Sequence, residues 1–325
     1  MLPEAASWMR RRTSAAADWP LPGLLAAKGT TRISVVLPAR DEQETVGAIV
    51  GAVRADLMER APLVDEIVVV DSRSSDRTAA VAAAAGAEVV AQDDVLPGQG
   101  RMSGKGEALW KSLAVTTGDL IVFVDADLRG FTSSYVTGLL GPLLADPGVG
   151  YVKGCYDRPL LTGGRPAEGG GGRVTELVAR PLINLHWPML AAVMQPLGGE
   201  YAGRRALLER LPFVTGYGVE LGLLLDVFQE AGLDAIAQVD LGRRVHAHQS
   251  IEDLGRMSGQ IMLTAWSRLQ RHRRMLPLEA PATALAQFAR TPGGTEVRES
   301  DIGVGERRPM AEVPEYAAAR RSLLS

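Results

Sequence analysis

Short apolar runs separated by stretches of helical spacing constrain the fold of this chain more than any other feature of its sequence. The runs that predict strands cover residues 33–37, 66–70, 88–91, 120–124, 150–155 and 235–239. Strands that alternate with helices are joined by crossover connections, which favour a parallel sheet with helices on both faces. The sequence therefore predicts an α/β fold with a mostly parallel, Rossmann-like sheet and a ligand site along one sheet edge.

The pattern divides the chain into four predicted parts. Residues 1–30 are expected to be irregular, and residues 31–155 and 156–275 carry the strand and helix patterns. Residues 276–325 form a polar tail, which is expected to extend over the surface or to exchange with a partner chain. Residues 158–173 are rich in glycine and proline and predict a long, mobile loop.

Length and composition exclude several classes of protein. The chain has 325 residues, of which 46% are hydrophobic, so it can form one large domain with a smaller addition. A net charge of −3 argues against a general nucleic-acid-binding protein. No apolar run reaches the roughly 18 residues of a membrane-spanning helix, and no apolar core follows the basic residues near the N-terminus, so neither a membrane partner nor a secretion signal is expected. The single cysteine, Cys155, cannot form an internal disulfide, which fits the reducing cytoplasm.

Two aspartates follow one of the predicted strands directly. Asp125 and Asp127 come after the apolar run 120–124, and side chains two residues apart point the same way along an extended chain. Open α/β sheets bind ligands at the carboxyl ends of their strands. Carboxylate oxygens suit Mg²⁺ or Mn²⁺, whose remaining ligands often come from substrate phosphates. The motif is short enough to occur by chance in a surface loop, but its position predicts a metal-bridged diphosphate site.

Polar turns in the first half of the chain have both a functional and a structural interpretation. Asp41 and Glu42 follow the first strand, and Ser72 follows the second; these residues are placed to contact a nucleoside or to cap the next helix. Lys105 lies between two glycines at a predicted helix start, where it can bind a phosphate or extend into solvent. The turn lacks P-loop spacing, which argues against an ATPase.

A glycine run in the second half enters a helix at a second candidate anion site. Gly172, Arg173 and Thr175 lie in its first turn, where amide groups and a guanidinium suit a phosphate or a carboxylate. A plain linker followed by a capped helix explains the same residues. Glu200 and Glu220 follow glycine-rich turns and are placed to face either a sugar or solvent.

Two histidines follow the last predicted strand. His246 and His248 are separated by one residue and share a face if the backbone is extended. His246 is a candidate to complete a metal site with Asp127, because imidazole is a common metal ligand. With four histidines in the chain, a chance placement competes with this interpretation.

These motifs together resemble the retaining GT-A glycosyltransferases that make glucosyl- or mannosyl-3-phosphoglycerate. The similar segments are VVLPA (35–39), VVDS (69–72), GKGEALW (104–110), DAD (125–127), GGRVTELVARP (171–181), QPLGGEY (195–201) and GYGVE (216–220). The resemblance spans about residues 30–270, and segment 171–181 is its most specific part. It implies a GT-A fold with a helical C-terminal extension.

The resemblance implies a role for each matching residue. Asp127 and His246 are implied to hold the divalent metal, Mg²⁺ or Mn²⁺, that bridges the diphosphate of a nucleotide-sugar donor. The implied donor-side residues are Pro38, Ala39, Arg40, Glu42, Ser72, Lys105 and Asp125. The implied 3-phosphoglycerate-side residues are Gly172, Arg173, Thr175 and His248. Glu220 is implied to contact the transferred hexose, and the carbonyl of Leu197 to stabilise the cationic sugar.

Retention of the anomeric configuration has two chemical explanations. A double displacement needs a carboxylate nucleophile, and no residue of this sequence is an evident one. The resemblance favours same-face transfer, in which the acceptor hydroxyl attacks as the diphosphate leaves and a diphosphate oxygen takes the proton. The expected product is mannosyl- or glucosyl-3-phosphoglycerate, for compatible-solute or polysaccharide synthesis.

Four residues at three sites depart from the glucosyl-transferring branch of this family. Arg40-Asp41 stands where Leu-Asn is usual, Arg73 where glycine is usual, and His248 where asparagine is usual. The first two flank the implied nucleoside pocket and make a guanine donor plausible. A GDP-sugar is therefore the expected donor, with mannose at least accepted.

Other classes of protein share parts of this pattern. A polyisoprenyl-phosphate glycosyltransferase has a similar sheet but acts at membranes. A nucleotidyltransferase also joins metal-held phosphates. A nucleotide-sugar sensor would bind a donor without turnover. An apolar helical surface and the long tail, together with the family resemblance, predict a homodimer.

Overall fold

The computed structural model describes residues 1–157, 160–162, 165–167, 172–244, 250–276 and 278–324. Its strands are β1 (Thr13–Ala15), β2 (Ile33–Ala39), β3 (Glu66–Asp71), β4 (Glu88–Ala91), β5 (Leu120–Phe123), β6 (Tyr151–Asp157), β7 (Leu160–Thr162), β8 (Arg165–Ala167), β9 (Tyr201–Arg204), β10 (Phe213–Val214), β11 (Ile236–Arg243), β12 (Ala284–Thr291), β13 (Gly294–Asp301) and β14 (Glu306–Arg307).

The helices surround these strands on both sides. They are α1 (Pro3–Arg12), α2 (Leu21–Lys28), α3 (Val46–Arg54), α4 (Thr78–Ala85), α5 (Lys105–Val115), α6 (Ser134–Ala145), α7 (Arg180–His186), α8 (Arg205–Leu208), α9 (Val219–Ala231), α10 (Ile251–Arg271) and α11 (Pro314–Leu324). A π-helical turn continues α3 over Ala55–Glu59, and another precedes α7 over Thr175–Ala179. In the part of the chain that the structure describes, no helix is long and apolar enough to cross a membrane.

Among the described residues, eight strands form one sheet in the order β1-β11-β6-β9-β5-β2-β3-β4. β9 runs antiparallel to its neighbours β5 and β6, and every other neighbouring pair in this sheet is parallel. The predicted mostly parallel sheet is therefore confirmed. The sequence pattern does not predict β9, because this strand has four residues and one of them is a glycine, which weakens a strand signal.

Strand side chains alternate between two apolar cores, one on each face of the sheet. Val35 and Val122 pack in the core that contains α3 and α6, whereas Val36, Phe123 and Tyr151 pack in the core that contains α5 and α9. Burial on both faces is typical of parallel sheets. The carboxyl edge of the sheet is therefore where ligand-binding side chains can reach solvent.

The turns after β2 and β3 differ from the predicted helix caps. Asp41 has φ 57° and does not cap α3, which begins at Val46; its Oδ1 accepts hydrogen bonds from the amide (2.7 Å) and hydroxyl (3.0 Å) of Ser75. α4 begins at Thr78, whose amide donates to Asp76 (2.8 Å) rather than to a serine of the preceding turn. The acidic and serine side chains thus tie the two turns to each other.

The prediction that residues 1–30 are irregular is wrong. This segment contains α1, β1 and α2, and β1 adds a parallel strand beside β11. Trp8 is fully buried, and its Nε1 donates to the carbonyl of Ile236 (2.8 Å). The apolar face of α1 consists of little more than Ala5 and Trp8, too few residues to show helical spacing in the sequence.

The prediction of an extended tail is also wrong for most of its length. β12 and β13 pair as an antiparallel hairpin, and β14 pairs with β10. α11 follows, and Met310, Val313 and Tyr316 are buried in the main core. Within the predicted loop at 158–173, the described residues include the paired strands β7 and β8. The rest of that prediction lies outside the described residues, apart from residues 172 and 173.

Candidate active site

Asp125 and Asp127 lie at the carboxyl edge of the sheet, directly beyond β5, as the sequence predicts. The side chain of Asp125 is 20% exposed and that of Asp127 is 54% exposed, so Asp127 is the more open to solvent. Gly199 packs against Asp125, because a Cβ at this glycine would lie 2.1 Å from Asp125 Oδ2. The two carboxylates have different surroundings, which fits different tasks.

Arg244 is the central cation of this edge, and sequence reasoning did not single it out. Its Nη1 donates to Glu200 Oε1 (2.6 Å) and to the hydroxyl of Tyr156 (2.8 Å), and its Nη2 donates to Asp127 Oδ1 (2.9 Å). Both Nη atoms lie 3.4 Å from Asp125 Oδ2. Arg244 directly follows the parallel strand β11, and this position at the same sheet edge is the signal that could have identified it.

Lys105 forms the second cationic contact. Its Nζ donates to Asp125 Oδ1 and lies 2.7 Å from Glu220 Oε1, so the interpretation as a solvent-exposed lysine is wrong. Gly106 lets the start of α5 approach a neighbouring turn, because a Cβ there would lie 1.8 Å from the carbonyl oxygen of Val214. The glycines around Lys105 therefore serve close backbone packing, which brings its ammonium group to the two carboxylates.

These contacts define a charge cluster of four carboxylates and two cations. Its members are Asp125, Asp127, Glu200, Glu220, Lys105 and Arg244. Burial by itself lowers the pKa of Lys105 and of Arg244, but the adjacent carboxylates outweigh it and raise both pKa values well above the usual range. Both side chains are therefore cations at neutral pH, and the cluster holds more acidic groups than basic ones.

The acidic members of the cluster titrate differently. Burial raises the pKa of Asp125, but Lys105 and Arg244 outweigh it and hold that pKa well below its usual range. Burial and then the charge of Asp125 raise the pKa of Asp127. Burial also raises the pKa of Glu200, against the opposing effect of Arg244. Among the described residues, Glu200 Oε2 has no hydrogen-bond partner.

The expected nucleoside-side residues gather at the ends of β2 and β3. Pro38 and Ala39 form the last two positions of β2, and Arg40 follows them with an exposed side chain. Ser72 lies just beyond β3, and its hydroxyl donates to Gln92 Oε1 (2.8 Å). The structure thus brings these candidates to one edge, next to the charge cluster.

Glu42 borders the cluster from the same side. Its amide donates to Thr78 Oγ1 (2.7 Å), which ties the turn after β2 to the start of α4. Burial and the charge of Asp127 raise the pKa of the Glu42 carboxyl group. A further acidic group therefore faces Asp127 and adds to the local excess of negative charge.

Two residues of this edge adopt left-handed backbone conformations. Asp41 has φ 57° and Arg73 has φ 64°, a region that is costly for residues with a Cβ. Glycine adopts this region at no steric cost, and aspartate and asparagine adopt it more readily than other residues with a Cβ, so the strain is larger at Arg73 than at Asp41. Arg73 donates Nε and Nη2 to both carboxylate oxygens of Asp93 at 2.9 Å each, and Nη1 to Ser103 (3.0 Å). Arg73 thus bridges two turns next to the expected nucleoside-side residues.

The expected acceptor residues lie at the start of the helical segment that leads into α7. Gly172 has φ 76°, Arg173 follows it, and Thr175 is buried. One turn later, Nη2 of Arg180 donates to the carbonyl of Met194 (2.8 Å). This bond ties the segment to the residues that precede Leu197.

Residues 191–200, called here the Leu197 segment, run across the sheet without regular helix or strand. The amide of Met194 donates to Gln238 Oε1 (3.0 Å), and the amide of Gly154 donates to the carbonyl of Glu200 (2.8 Å). The segment ends where Gly199 contacts Asp125 and Glu200 contacts Arg244. Leu197 therefore lies close in the chain to the charge cluster.

The residues at this edge fit a divalent cation in charge and in ligand chemistry. Asp127 offers a hard oxygen donor to solvent, and the surrounding acidic groups outnumber the cations. Within the described ranges, no group of three or more His, Cys, Asp or Glu side chains could hold a metal ion. His246 and His248 lie outside the described residues, so their roles stay predictions.

Known proteins resemble this chain over nearly its whole length. Residues 34–160 match the family described as glycosyl transferase family 2. The glucosyl-3-phosphoglycerate synthase of Mycolicibacterium smegmatis is 46% identical over 303 residues, which cover 93% of this chain and 97% of that protein.

Solved structures show the same architecture. The crystal structure of mannosyl-3-phosphoglycerate synthase from Rubrobacter xylanophilus has a TM-score of 0.88 at 43% identity, and covers 95% of this chain and 97% of that one. The crystal structure of glucosyl-3-phosphoglycerate synthase from Mycobacterium tuberculosis in complex with Mn²⁺, uridine diphosphate and phosphoglyceric acid has a TM-score of 0.79 at 43% identity, covering 90% and 94%. These similarities confirm the predicted GT-A fold.

Proposed function

Because this chain belongs to the glucosyl- and mannosyl-3-phosphoglycerate synthases, a family of metal-dependent GT-A glycosyltransferases, we propose that it transfers a hexose from a nucleoside-diphosphate sugar to the 2-hydroxyl of 3-phosphoglycerate. The observation that carries the proposal is the charge cluster, in which an excess of carboxylates meets Lys105 at the carboxyl edge of the sheet. The product is mannosyl- or glucosyl-3-phosphoglycerate, with the anomeric configuration of the donor retained.

A divalent cation, Mg²⁺ or Mn²⁺, belongs to the proposed site. Asp127 and His246 would hold it together with oxygens of the donor diphosphate, and it would supply Lewis-acid stabilisation of the departing nucleoside diphosphate. The Mn²⁺ and uridine diphosphate bound by the Mycobacterium tuberculosis relative support this assignment. Arg244 orients the Asp127 carboxylate through its 2.9 Å hydrogen bond to Oδ1.

We assign the transfer itself to a same-face attack. Lys105 holds Glu220 at 2.7 Å, so that Glu220 can accept hydrogen bonds from the hydroxyls of the hexose. The carbonyl of Leu197 stabilises the positive charge that develops on the anomeric carbon as the bond to the diphosphate breaks. The 2-hydroxyl of the acceptor then bonds to that carbon from the same face, and its proton passes to an oxygen of the departing diphosphate.

The acceptor is proposed to bind at the start of the segment before α7. Gly172 has a positive φ that presents backbone amides. Arg173 can bind a phosphate or carboxylate through two hydrogen bonds, and Thr175 adds a hydroxyl. His248 is proposed as a further acceptor contact. The phosphoglyceric acid in the Mycobacterium tuberculosis structure supports a phosphoglycerate acceptor.

The donor is proposed to be a GDP-sugar, with mannose accepted. Guanine presents two neighbouring N–H donors and a carbonyl acceptor, which Asp41 and the exposed Arg40 can match, whereas uracil presents a single N–H donor. The mannosyl-3-phosphoglycerate synthase of Rubrobacter xylanophilus, which is 43% identical to this chain, supports acceptance of mannose. The Mycobacterium tuberculosis relative, whose structure contains uridine diphosphate, supports the competing preference for a UDP-sugar donor.

A donor screen tests the proposed function. The purified protein, 3-phosphoglycerate and Mg²⁺ or Mn²⁺ are combined separately with GDP-mannose, GDP-glucose and UDP-glucose, and the product is separated by chromatography and its anomer assigned by proton NMR. We expect a product of retained configuration, formed fastest from a GDP-sugar. Turnover with UDP-glucose alone would contradict the donor assignment, and no transfer to 3-phosphoglycerate from any donor would contradict the function.

The assembly and compartment are part of the proposal. A homodimer is supported by the β12–β13 hairpin, on which Phe288 and Val297 face each other across the strands and are both largely exposed. Light scattering after gel filtration should give twice the 34.6 kDa chain mass. A cytoplasmic location is supported by Cys155, the single cysteine, which is buried and unpaired.

A further inference from the structure

Lys153 is a buried cation that the proposed chemistry does not use. It lies in the middle of β6 with 1% of its surface exposed. Its Nζ donates to the carbonyl of Gly198 at 2.5 Å and lies 4.9 Å from the centre of the Tyr201 ring. Because a lysine loses its hydration when it is buried, such a position is costly unless the ammonium group gains a specific contact.

The strand register places Lys153 in a row that crosses the sheet beneath the Leu197 segment. Tyr201 of β9 is its partner on one side, and Gln238 of β11 is its partner on the other. Directly opposed residues of neighbouring strands point to the same face of a sheet. Lys153 and Gln238 are therefore adjacent polar side chains on one face.

These two side chains hold opposite ends of the Leu197 segment. Gln238 accepts the amide of Met194 (3.0 Å) and donates Nε2 to the carbonyl of Ala192 (3.3 Å). Lys153 holds the carbonyl of Gly198. Leu197 lies between the two anchors, one residue before the carbonyl that Lys153 binds.

The sequence of the segment explains why an external anchor is needed. Gly198 and Gly199 lack a Cβ, so the chain itself restricts their backbone angles only weakly. Close packing favours a glycine at both positions: a Cβ at Gly198 would lie in tight contact, 3.0 Å from the carbonyl oxygen of Gly154, and one at Gly199 would collide with Asp125. The hydrogen bond from Lys153 in β6 to the Gly198 carbonyl supplies the restraint on the backbone that a side chain would otherwise give.

We propose that Lys153 is a positioning residue for hexosyl transfer, which fixes the Gly198 carbonyl and thereby orients the neighbouring Leu197 carbonyl toward the transferred sugar. The inference rests on the proposed function, in which that carbonyl faces the anomeric carbon. Lys153 contacts neither donor nor acceptor in this role. Its loss should therefore slow turnover without weakening the binding of either substrate.

The test compares two matched substitutions of buried lysines. Lys153→Met keeps most of the side-chain volume but removes the hydrogen bond. Lys111→Met is the control, because Lys111 is also fully buried and its Nζ also donates to a backbone carbonyl, that of Gln92 (2.8 Å). We expect kcat to fall about 100-fold in Lys153→Met, the cost of a misplacement of about 1 Å, with KM for both substrates changed about twofold or less. Lys111→Met should lose thermal stability without that selective loss of kcat.

Hydrogen–deuterium exchange needs no turnover, so it tests the role of Lys153 independently of the proposed function. Hydrogen–deuterium exchange of residues 195–200 should be faster in Lys153→Met than in the wild type, and unchanged in Lys111→Met. Unchanged exchange, or a wild-type kcat in Lys153→Met, would overturn the positioning role. If the wild type transfers no hexose, the proposed function fails, and the exchange comparison still decides whether Lys153 restrains the segment.

A second variant covers the case in which Lys153→Met does not fold. Gln238→Leu releases the other end of the Leu197 segment and should lower kcat in the same direction, by about 10-fold. Exchange should then increase at residues 192–194 instead. A folded Gln238→Leu protein with wild-type kcat and wild-type exchange would overturn the two-anchor arrangement.

Discussion

Two groups of charged side chains in this molecule differ in their balance. The tail cluster consists of Asp226, Glu306, Arg268 and Arg271, with two carboxylates and two arginines. Arg268 contacts Asp226 at 2.5 Å and also binds Glu306, which joins α9 and α10 to β14. The charge cluster at the candidate active site has four carboxylates for two cations. A balanced group ties elements together, whereas an acidic excess that is open at one side is suited to an added cation.

The exposure of the two groups supports the same distinction. Asp226 is buried and is held by the buried Arg268, whereas Asp127 is more than half exposed and is held by Arg244 through one oxygen. Burial with complete pairing avoids the cost of an isolated charge. The charge cluster instead keeps a carboxylate whose pKa is raised by partial loss of hydration and by the charge of Asp125, a state that a metal ion would relieve.

The largest predicted effect follows from removing the open carboxylate. Asp127→Asn should lower kcat by about 1,000- to 10,000-fold, since the metal supplies several kcal/mol of transition-state stabilisation. Steady-state assays with saturating Mn²⁺ measure the loss. The control is Asp253→Asn, at an exposed carboxylate of α10, which should keep wild-type turnover. Turnover by Asp127→Asn within tenfold of wild type would place the metal elsewhere.

The next prediction concerns the substitution of one arginine in each cluster. Arg268→Met and Arg244→Met should each lower the free energy of unfolding by about 3 to 5 kcal/mol, because each leaves buried carboxylates unpaired. Chemical denaturation with and without Mn²⁺ distinguishes them. The ion should stabilise Arg244→Met more than wild type, and Arg268→Met only as much as wild type. Equal stabilisation of both variants would remove the contrast between the clusters.

A pH prediction concerns Lys153, whose pKa burial lowers from 10.5 to about 8, with Glu220, Lys105, Glu200 and Asp125 as the charged groups around it. Below about pH 8 both the folded and unfolded chains carry the proton, and the full cost of burying it is present. As the pH rises from about 8 to 10.5, the folded chain loses that proton first, so the cost disappears. The wild type should gain up to about 3 kcal/mol relative to Lys153→Met over this range.

Denaturant titrations of both proteins at several pH values measure this difference. The variant serves as the control, because the other titrating groups are common to both chains. A difference between the two proteins that stays constant from pH 7 to pH 10 would show that the pKa of Lys153 is not lowered.

The smallest predicted effect concerns the strained Arg73. Arg73→Gly should relieve a left-handed backbone worth about 1 to 2 kcal/mol while losing an exposed ion pair worth about 1 kcal/mol or less, so stability should change little. The ratio of kcat/KM for GDP-mannose over UDP-glucose should fall about 10-fold. Arg101→Gly, at the other partner of Asp93, is the control and should leave the ratio unchanged. An unchanged ratio in Arg73→Gly would exclude Arg73 from donor selection.

The sequence allowed good prediction of the parts of the fold that depend on local pattern. Strands β2, β3, β4 and β5 are apolar runs with clear ends, which the sequence displays directly. The sequence did not predict the elements that are stabilised by contacts with residues far away in the chain. α1 is held by Trp8 against β11, and β14 is held by β10 and by Arg307, which binds Glu107 at 2.7 Å.

The same division applies to the candidate active site. Asp125, Asp127 and Lys105 follow motifs that sequence reasoning could identify, and the structure brings them together. Arg244 and Lys153 have no motif around them, and their importance comes from strand register, which aligns residues far apart in the chain. Register is a three-dimensional property, and a single sequence does not display it.

Phosphorus-31 NMR of one reaction mixture tests metal-dependent hexosyl transfer to 3-phosphoglycerate, because it follows the donor, the acceptor and every phosphate product together. With Mg²⁺, GDP-mannose and 3-phosphoglycerate, the donor resonances should be replaced by those of GDP. The 3-phosphoglycerate resonance should be replaced by a product resonance that corresponds to the same amount of material. Both changes should stop when EDTA is added and resume with excess Mg²⁺. Release of pyrophosphate, or conversion that continues in EDTA, would contradict a metal-dependent hexosyl transfer at the charge cluster.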